Sequence, residues 1–311
     1  MAKAAIPLHP NLPSPMKPLD YLIAVTVPIV WGMGIVFAKP AVDQFPPILL
    51  MAFRFGVAAL ILVWFVPVPQ RILLPLSLAA FVGATIQYGL TFNGLKLLDA
   101  STTALIVQAE VPFLALIAAV FLKEKLGPRK IIGMVVAFIG IYLITGEPRL
   151  RGQEVGIMLV LGGAATWAIG QILIRRLGEV GGLTLIAWVA VLATPQLFVT
   201  SALFETGQLQ AIRDAGMTVW GTVAYLGVFM TAIGYGCWYH VLGRYEANRV
   251  APFLLLTPVA SVLGGWLLLG EPLTLHILAG GGIVTAGVAV LISEPWTKRA
   301  RSLDQRPDAQ I

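Results

Sequence analysis

Charge is what this chain has least of. Asp, Glu, Lys and Arg make up 12% of the 311 residues, whereas 58% are hydrophobic. That is about half the charge of an average soluble domain. A water-soluble body of this size would expose far too much apolar surface, so lipid is the expected solvent. Cysteine is also scarce. Cys237 stands alone, which excludes an intramolecular disulfide, and its apolar neighbourhood favours a packed thiol over a redox role. The three histidines, His9, His240 and His276, are too far apart to share a helix face. With one cysteine they form no metal set, so no metal, cofactor or catalytic centre is expected. Gly-Gly-Gly at 280–282 lacks the strand and turn of a phosphate-binding loop. The net charge of +6 does not point to nucleic acid, because the bases sit between apolar segments and form no stripe.

What is abundant is hydrocarbon in long runs. A helix needs roughly 20 apolar residues to cross the bilayer core. Segments of that kind lie near 19–39, 46–66, 72–92, 101–122, 128–145, 154–174, 182–204, 217–241, 249–269 and 275–293. The proline-rich residues 1–18 and the polar residues 294–311 read as disordered tails. The first apolar run lacks a cleavage site and reads as a retained helix. Of the 21 bases, fifteen fall on one side of the membrane, five on the other, and Arg54 lies within a span. The positive-inside rule then places both termini in the cytoplasm of a multi-pass protein of the cell (inner) membrane.

The two halves repeat. A shift of 147 residues pairs Tyr88 with Tyr235, Leu95 with Leu242, Ala100 with Ala247, Glu124 with Glu271, Leu126 with Leu273, Gly133 with Gly280 and Gly140 with Gly287. A shift of 136 pairs Trp31 with Trp167, Gly34 with Gly170 and Lys39 with Arg175. Five spans per copy is an odd number, so the second copy enters from the opposite face. The expected fold is therefore all-α, with ten transmembrane helices as two inverted five-helix repeats, 19–145 and 154–293. Inverted repeats recur in secondary transporters, with substrate near the midplane.

Trp31-Gly32, Phe-Arg-Phe at 53–55 and the Ala-x3-Ala…Pro…Glu-Lys-Leu…Gly-x6-Gly pattern from Ala100 to Gly140 resemble the drug/metabolite transporter superfamily, in its ten-helix EamA branch. The second copy repeats the pattern through Trp167, Pro258, Glu271, Leu273, Gly280 and Gly287. It departs at Ala190, the counterpart of Arg54, so that arginine's role is not two-fold symmetric. The resemblance implies a central cavity lined by helices 1, 3, 4, 6, 8 and 9, and transport by alternating access. It is nearest to amino-acid and metabolite exporters, including the aromatic amino-acid exporter type.

Ionisable groups at the bilayer centre cost roughly 2.5–3.5 kcal/mol on insertion scales, so each needs a partner or a wet cavity. Arg54 and Glu110 share a depth, which allows an ion pair, arginine binding to backbone carbonyls, or proton coupling through Glu110. Pro112 and Pro258 occupy near-equivalent places in spans four and nine, as packing kinks or as hinges. The candidate substrate residues are Trp31, Gln87, Tyr88, Gln108, Trp167, Tyr235, Trp238 and Tyr239, whose amphipathic walls suit a zwitterion with an apolar side chain. Interfacial anchoring competes with that role for Trp238 and Tyr239.

The expected function is export of small amphipathic metabolites, foremost amino acids. Carriage of sugars or nucleotide sugars is disfavoured by the single intramembrane base. A channel or receptor stays open, and an intramembrane enzyme is disfavoured. The expected partners are a small-molecule substrate and the lipid bilayer, without nucleic acid. A monomer is compatible with the sequence, which leaves oligomeric state open.

Overall fold

The computed structural model describes residues 16–123, 126–178, 180–245 and 247–292. The two expected tails fall outside the described residues except at Met16–Pro18, as does Glu124 of the repeat match. Ten helices are long and apolar enough to cross a membrane: α1 Pro18–Gln44, α2 Pro47–Phe65, α3 Gln70–Leu97, α4 Ala100–Phe121, α5 Pro128–Thr145, α6 Glu154–Arg175, α7 Gly182–Phe204, α8 Met217–Leu242, α9 Ala251–Leu269 and α10 Leu275–Ile292. There is no strand among the described residues.

Local chemistry sets several boundaries. Prolines stand in the first turn of α1, α2 and α5, where no backbone donor is needed. Helix α1 runs past its expected end near residue 39. There the Lys39 ammonium binds Asp43 one turn on at 2.9 Å and donates to the Lys96 carbonyl at 3.2 Å.

In lipid, helices associate through close backbone packing rather than hydrophobic burial, and glycines supply it here. Helices α5 and α10 cross at Gly133, Gly140, Gly280 and Gly287. A Cβ on Gly140 would lie 2.6 Å from the Val284 nitrogen. Helices α3 and α6 meet at Gly83 and Gly170, and α1 meets α9 at Gly32. The principal pairings are α5 with α10, α2 with α7, α4 with α9, α1 with α8 and α9, and α6 with α3 and α4. Advancing every helix by five maps this set onto itself, the pattern two superposable halves would give.

The backbone departs from α geometry in matched places. Helix α3 is π-helical over Phe81–Ile86 and α8 over Tyr225–Ile233. The 147-residue shift carries the first segment onto 228–233. Helix α4 breaks between Val107 and Glu110, and α9 starts as a 3-10 turn, Ala251–Leu255, before its α-helical part at Leu256. Pro112 and Pro258 are each the third residue of the piece that follows. They therefore begin new helical pieces instead of bending a continuous helix.

Candidate functional site

The π segment of α8 and the turn that follows it meet α1 in one set of aromatic side chains. Trp31 of α1 packs at a tilt on Tyr235 at 4.8 Å and on Trp238 at 5.5 Å, and its indole N–H donates to the Met230 carbonyl at 3.0 Å. That carbonyl belongs to the π segment, where the wider turn displaces backbone groups from their α-helical positions. Gly234 makes the contact possible, because a Cβ there would lie 2.8 Å from the indole nitrogen. Tyr239 continues the row at 6.1 Å from Tyr235. Trp238 is buried with Ala24, Val27 and Val241 behind Trp31.

Arg54 of α2 is 1% exposed. Its Nη2 donates to the Tyr88 hydroxyl at 3.3 Å and its Nε to Thr231 Oγ1 at 3.3 Å, with Met51 Sδ 3.8 Å from Nη1. The guanidinium carbon lies 4.5 Å from the Tyr88 ring centroid and 5.2 Å from that of Phe55. Thr231, again in the π segment of α8, hydrogen-bonds back to the Leu226 carbonyl at 2.7 Å. The ion pair anticipated between Arg54 and Glu110 is not formed among the described residues. Equal depth had allowed it, but Arg54 points into hydroxyls and rings, whereas Glu110 opens the second piece of α4 and is half-buried. Among the described residues no hydrogen bond or ion pair engages the Glu110 carboxylate, and the Tyr235 hydroxyl lies within electrostatic reach of both charges.

Trp167, the repeat mate of Trp31, is half-buried on α6, with no indole hydrogen bond among the described residues. Gln108 is half-buried in the α4 break, its N–H on the Leu105 carbonyl at 3.3 Å. Gln87 is buried beside α6. Its amide donates to Thr91 Oγ1 at 3.3 Å and its Oε1 has no partner among the described residues. The structure thus groups Trp31, Tyr235, Trp238 and Tyr239 in one wall and Tyr88 with Arg54 in another, while Gln87 turns towards α6. A cleft of about 950 Å³ lies elsewhere, between α3 and α7, and includes none of these residues.

One cluster carries no local sequence signal beyond a lone acid near a helix start. Asp20 of α1, 1% exposed, accepts from the Tyr245 hydroxyl at 2.8 Å and from Arg244 Nη1 at 3.3 Å, with His240 Nε2 also at 3.3 Å. It ties the start of α1 to the end of α8. At the opposite end Glu271 accepts from the Ala100 and Ser101 amides at 2.6 and 2.9 Å, capping α4 from the α9–α10 connection.

Known proteins resemble this chain along its length. The model of the EamA-like transporter family matches it twice, at residues 19–146 and 154–293. A probable amino-acid metabolite efflux pump of Salmonella typhimurium is 33% identical over 88% of this chain and 95% of its own. The protein of the same description from Escherichia coli is 31% identical over 92% and 99%. An uncharacterized transporter of Archaeoglobus fulgidus is 30% identical over 87% and 97%. A crystal structure at 19% identity superposes with a TM-score of 0.63, covering 93% of this chain and all of that one, which supports the fold.

Proposed function

This chain belongs to the EamA-like transporter family, and we propose that it exports amino acids and kindred amphipathic zwitterions across the cell membrane by alternating access. It is a multi-pass membrane transporter. The observation that carries the substrate class is Glu110, a half-buried carboxylate without a hydrogen-bond or ion-pair partner among the described residues, at a helix break within electrostatic reach of Tyr235. Leaving a carboxylate unpaired within a membrane is costly, and a substrate ammonium would offset that cost. Trp31, Tyr235 and Trp167 then supply apolar faces with polar edges for the side chain.

Ionised Glu110 binds the amino group and protonated Glu110 releases it. Proton and substrate compete for one carboxylate, which couples export to proton entry. The breaks that place Pro112 and Pro258 at the start of new helical pieces are the hinge points, and the π segments of α3 and α8 are the second pair. Helices α4 and α9 pack through Ala100–Val107 and Leu256–Leu269, whereas Glu110–Phe121 packs on α5 and α6. That arrangement supports access to Glu110 from the Phe121 end, which the distribution of bases assigns to the cytoplasm. Both termini share that side, and the halves are inverted repeats.

The test is counterflow in proteoliposomes containing the full chain. Saturable exchange of labelled amino acids is expected. Exchange confined to sugars or phosphorylated compounds, or an unsaturable conductance, would overturn the reading.

A further inference from the structure

The cleft between α3 and α7 stands apart from the proposed transport path. Its counterpart in the other half, between α8 and α2, is closely packed at Gly227, where a Cβ would lie 2.8 Å from Val57. Helix α3 packs on α7 mainly along its first half, through residues 73–86. The contact ends where Thr85 donates to Gln196 Oε1 at 2.8 Å and Gln196 Nε2 donates to the Ser77 hydroxyl at 3.1 Å. Beyond it, Gly89, Leu90 and Asn93 face Val199, Leu203 and Phe204 across about 950 Å³.

Nothing in that space calls for water. Asn93 Nδ2 is bound to the Gly89 carbonyl at 2.7 Å and the Thr200 hydroxyl to the Gln196 carbonyl at 2.7 Å. Glu205 caps α2 through the Ile48 and Leu49 amides at 2.8 and 3.0 Å. A water needs two or more polar partners, and most of the polar groups here are already engaged. The remaining lining is hydrocarbon. From Ser77 to Asn93 the cleft runs about 24 Å along α3, longer than the about 15 Å depth of one leaflet's hydrocarbon. Its mouth continues into a polar pocket of about 530 Å³, which shares Asn93, Phe204 and Glu205 and adds Asp43, Lys96 and Asp214. Apolar depth and a polar mouth at the ends of the spans have the form of a single lipid. Asp43 is paired with Lys39, and the two remaining carboxylates, Glu205 and Asp214, against Lys96 disfavour a head group with net negative charge.

We propose that this cleft holds one glycerophospholipid of the surrounding leaflet, an acyl chain between α3 and α7 and an amine-bearing head group at the acidic mouth. Val199 is 60% exposed and Leu203 72%, so tryptophan at either position fills the cleft from its rim.

The experiment is native mass spectrometry of the purified full-length protein titrated with equal phosphatidylethanolamine and phosphatidylglycerol. One retained phosphatidylethanolamine per chain is expected, favoured about threefold over phosphatidylglycerol, a difference proportionate to exposed charge pairs. Val199→Trp and Leu203→Trp should lose that adduct while melting as single transitions, and Asp214→Lys should erase the preference. Undiminished retention in both tryptophan variants, or preference for phosphatidylglycerol, would overturn the proposal. Should one tryptophan variant misfold, the other carries the comparison. Amino-acid counterflow is a separate readout, so failure of the lipid site and of the transport reading are distinguishable.

Discussion

Tyr88 lies over Arg54, its ring centroid 4.5 Å from the guanidinium carbon and its hydroxyl 3.3 Å from Nη2. With no carboxylate on the guanidinium among the described residues, rings and hydroxyls hold a buried cation. Tyr88→Phe keeps the ring and loses one hydrogen bond, at a cost of about 1 kcal/mol. Tyr88→Leu also removes the cation–π contact, at about 1–2 kcal/mol more. Melting in detergent should rank wild type above Tyr88→Phe above Tyr88→Leu. Equal losses would remove the ring from the account.

Glu271 offers a second test. Its carboxylate, 6% exposed, joins the α9–α10 connection to the amino end of α4. An anion there satisfies orphan amides and faces the positive end of the helix dipole. Glu271→Gln keeps the shape and loses the charge, and should destabilise the fold by about 1–3 kcal/mol. Glu271→Ala should cost more, because two amides are left bare. The order of the two melting temperatures checks this.

How much of this could be read from the residues follows from range. Hydropathy is local, and the ten spans were legible. Glu271 stood out as a repeated loop glutamate, but its partners lie 170 and 171 residues away, so capping carried no local pattern. Depth placed Arg54 and Glu110 at one level but says nothing of the direction each side chain takes around its helix axis. The π segments have no compositional signature and were invisible, although they position Met230 and Thr231 for Trp31 and Arg54. Repeat matching paired Trp31 with Trp167 as equals. The structure ties one indole to a carbonyl and leaves the other without a hydrogen bond among the described residues.

The glycines of α10 separate scaffold from spare. A Cβ on Gly287 would come within 2.8 Å of the Gly133 carbonyl oxygen and of the Ala137 Cα, whereas one on Gly282 meets nothing within 4 Å. Backbone atoms cannot swing aside, so Gly287→Val should force α5 and α10 apart and cost about 1–3 kcal/mol or more. Gly282→Ala should melt within about 0.5 kcal/mol of wild type. Similar melting of both variants would show that the helices do not cross where these contacts place them.

Transport itself turns on Glu110. If the ionised carboxylate binds the substrate ammonium, lowering the pH protonates it and binding fails, so counterflow should decline as the medium becomes acidic. Glu110→Gln cannot ionise. It should transport at least tenfold more slowly, about 1.4 kcal/mol or more of lost interaction, and its residual rate should be flat with pH. Glu110→Asp keeps the charge on a shorter stem and should raise KM while preserving the pH slope. Trp167→Ala removes an apolar face and no charge, so it should raise KM most for substrates with large side chains and leave the pH slope intact. A Glu110→Gln protein with the wild-type rate and slope would remove Glu110 from both substrate binding and coupling. A Trp167→Ala protein unchanged for every amino acid tested would remove α6 from the substrate's surroundings.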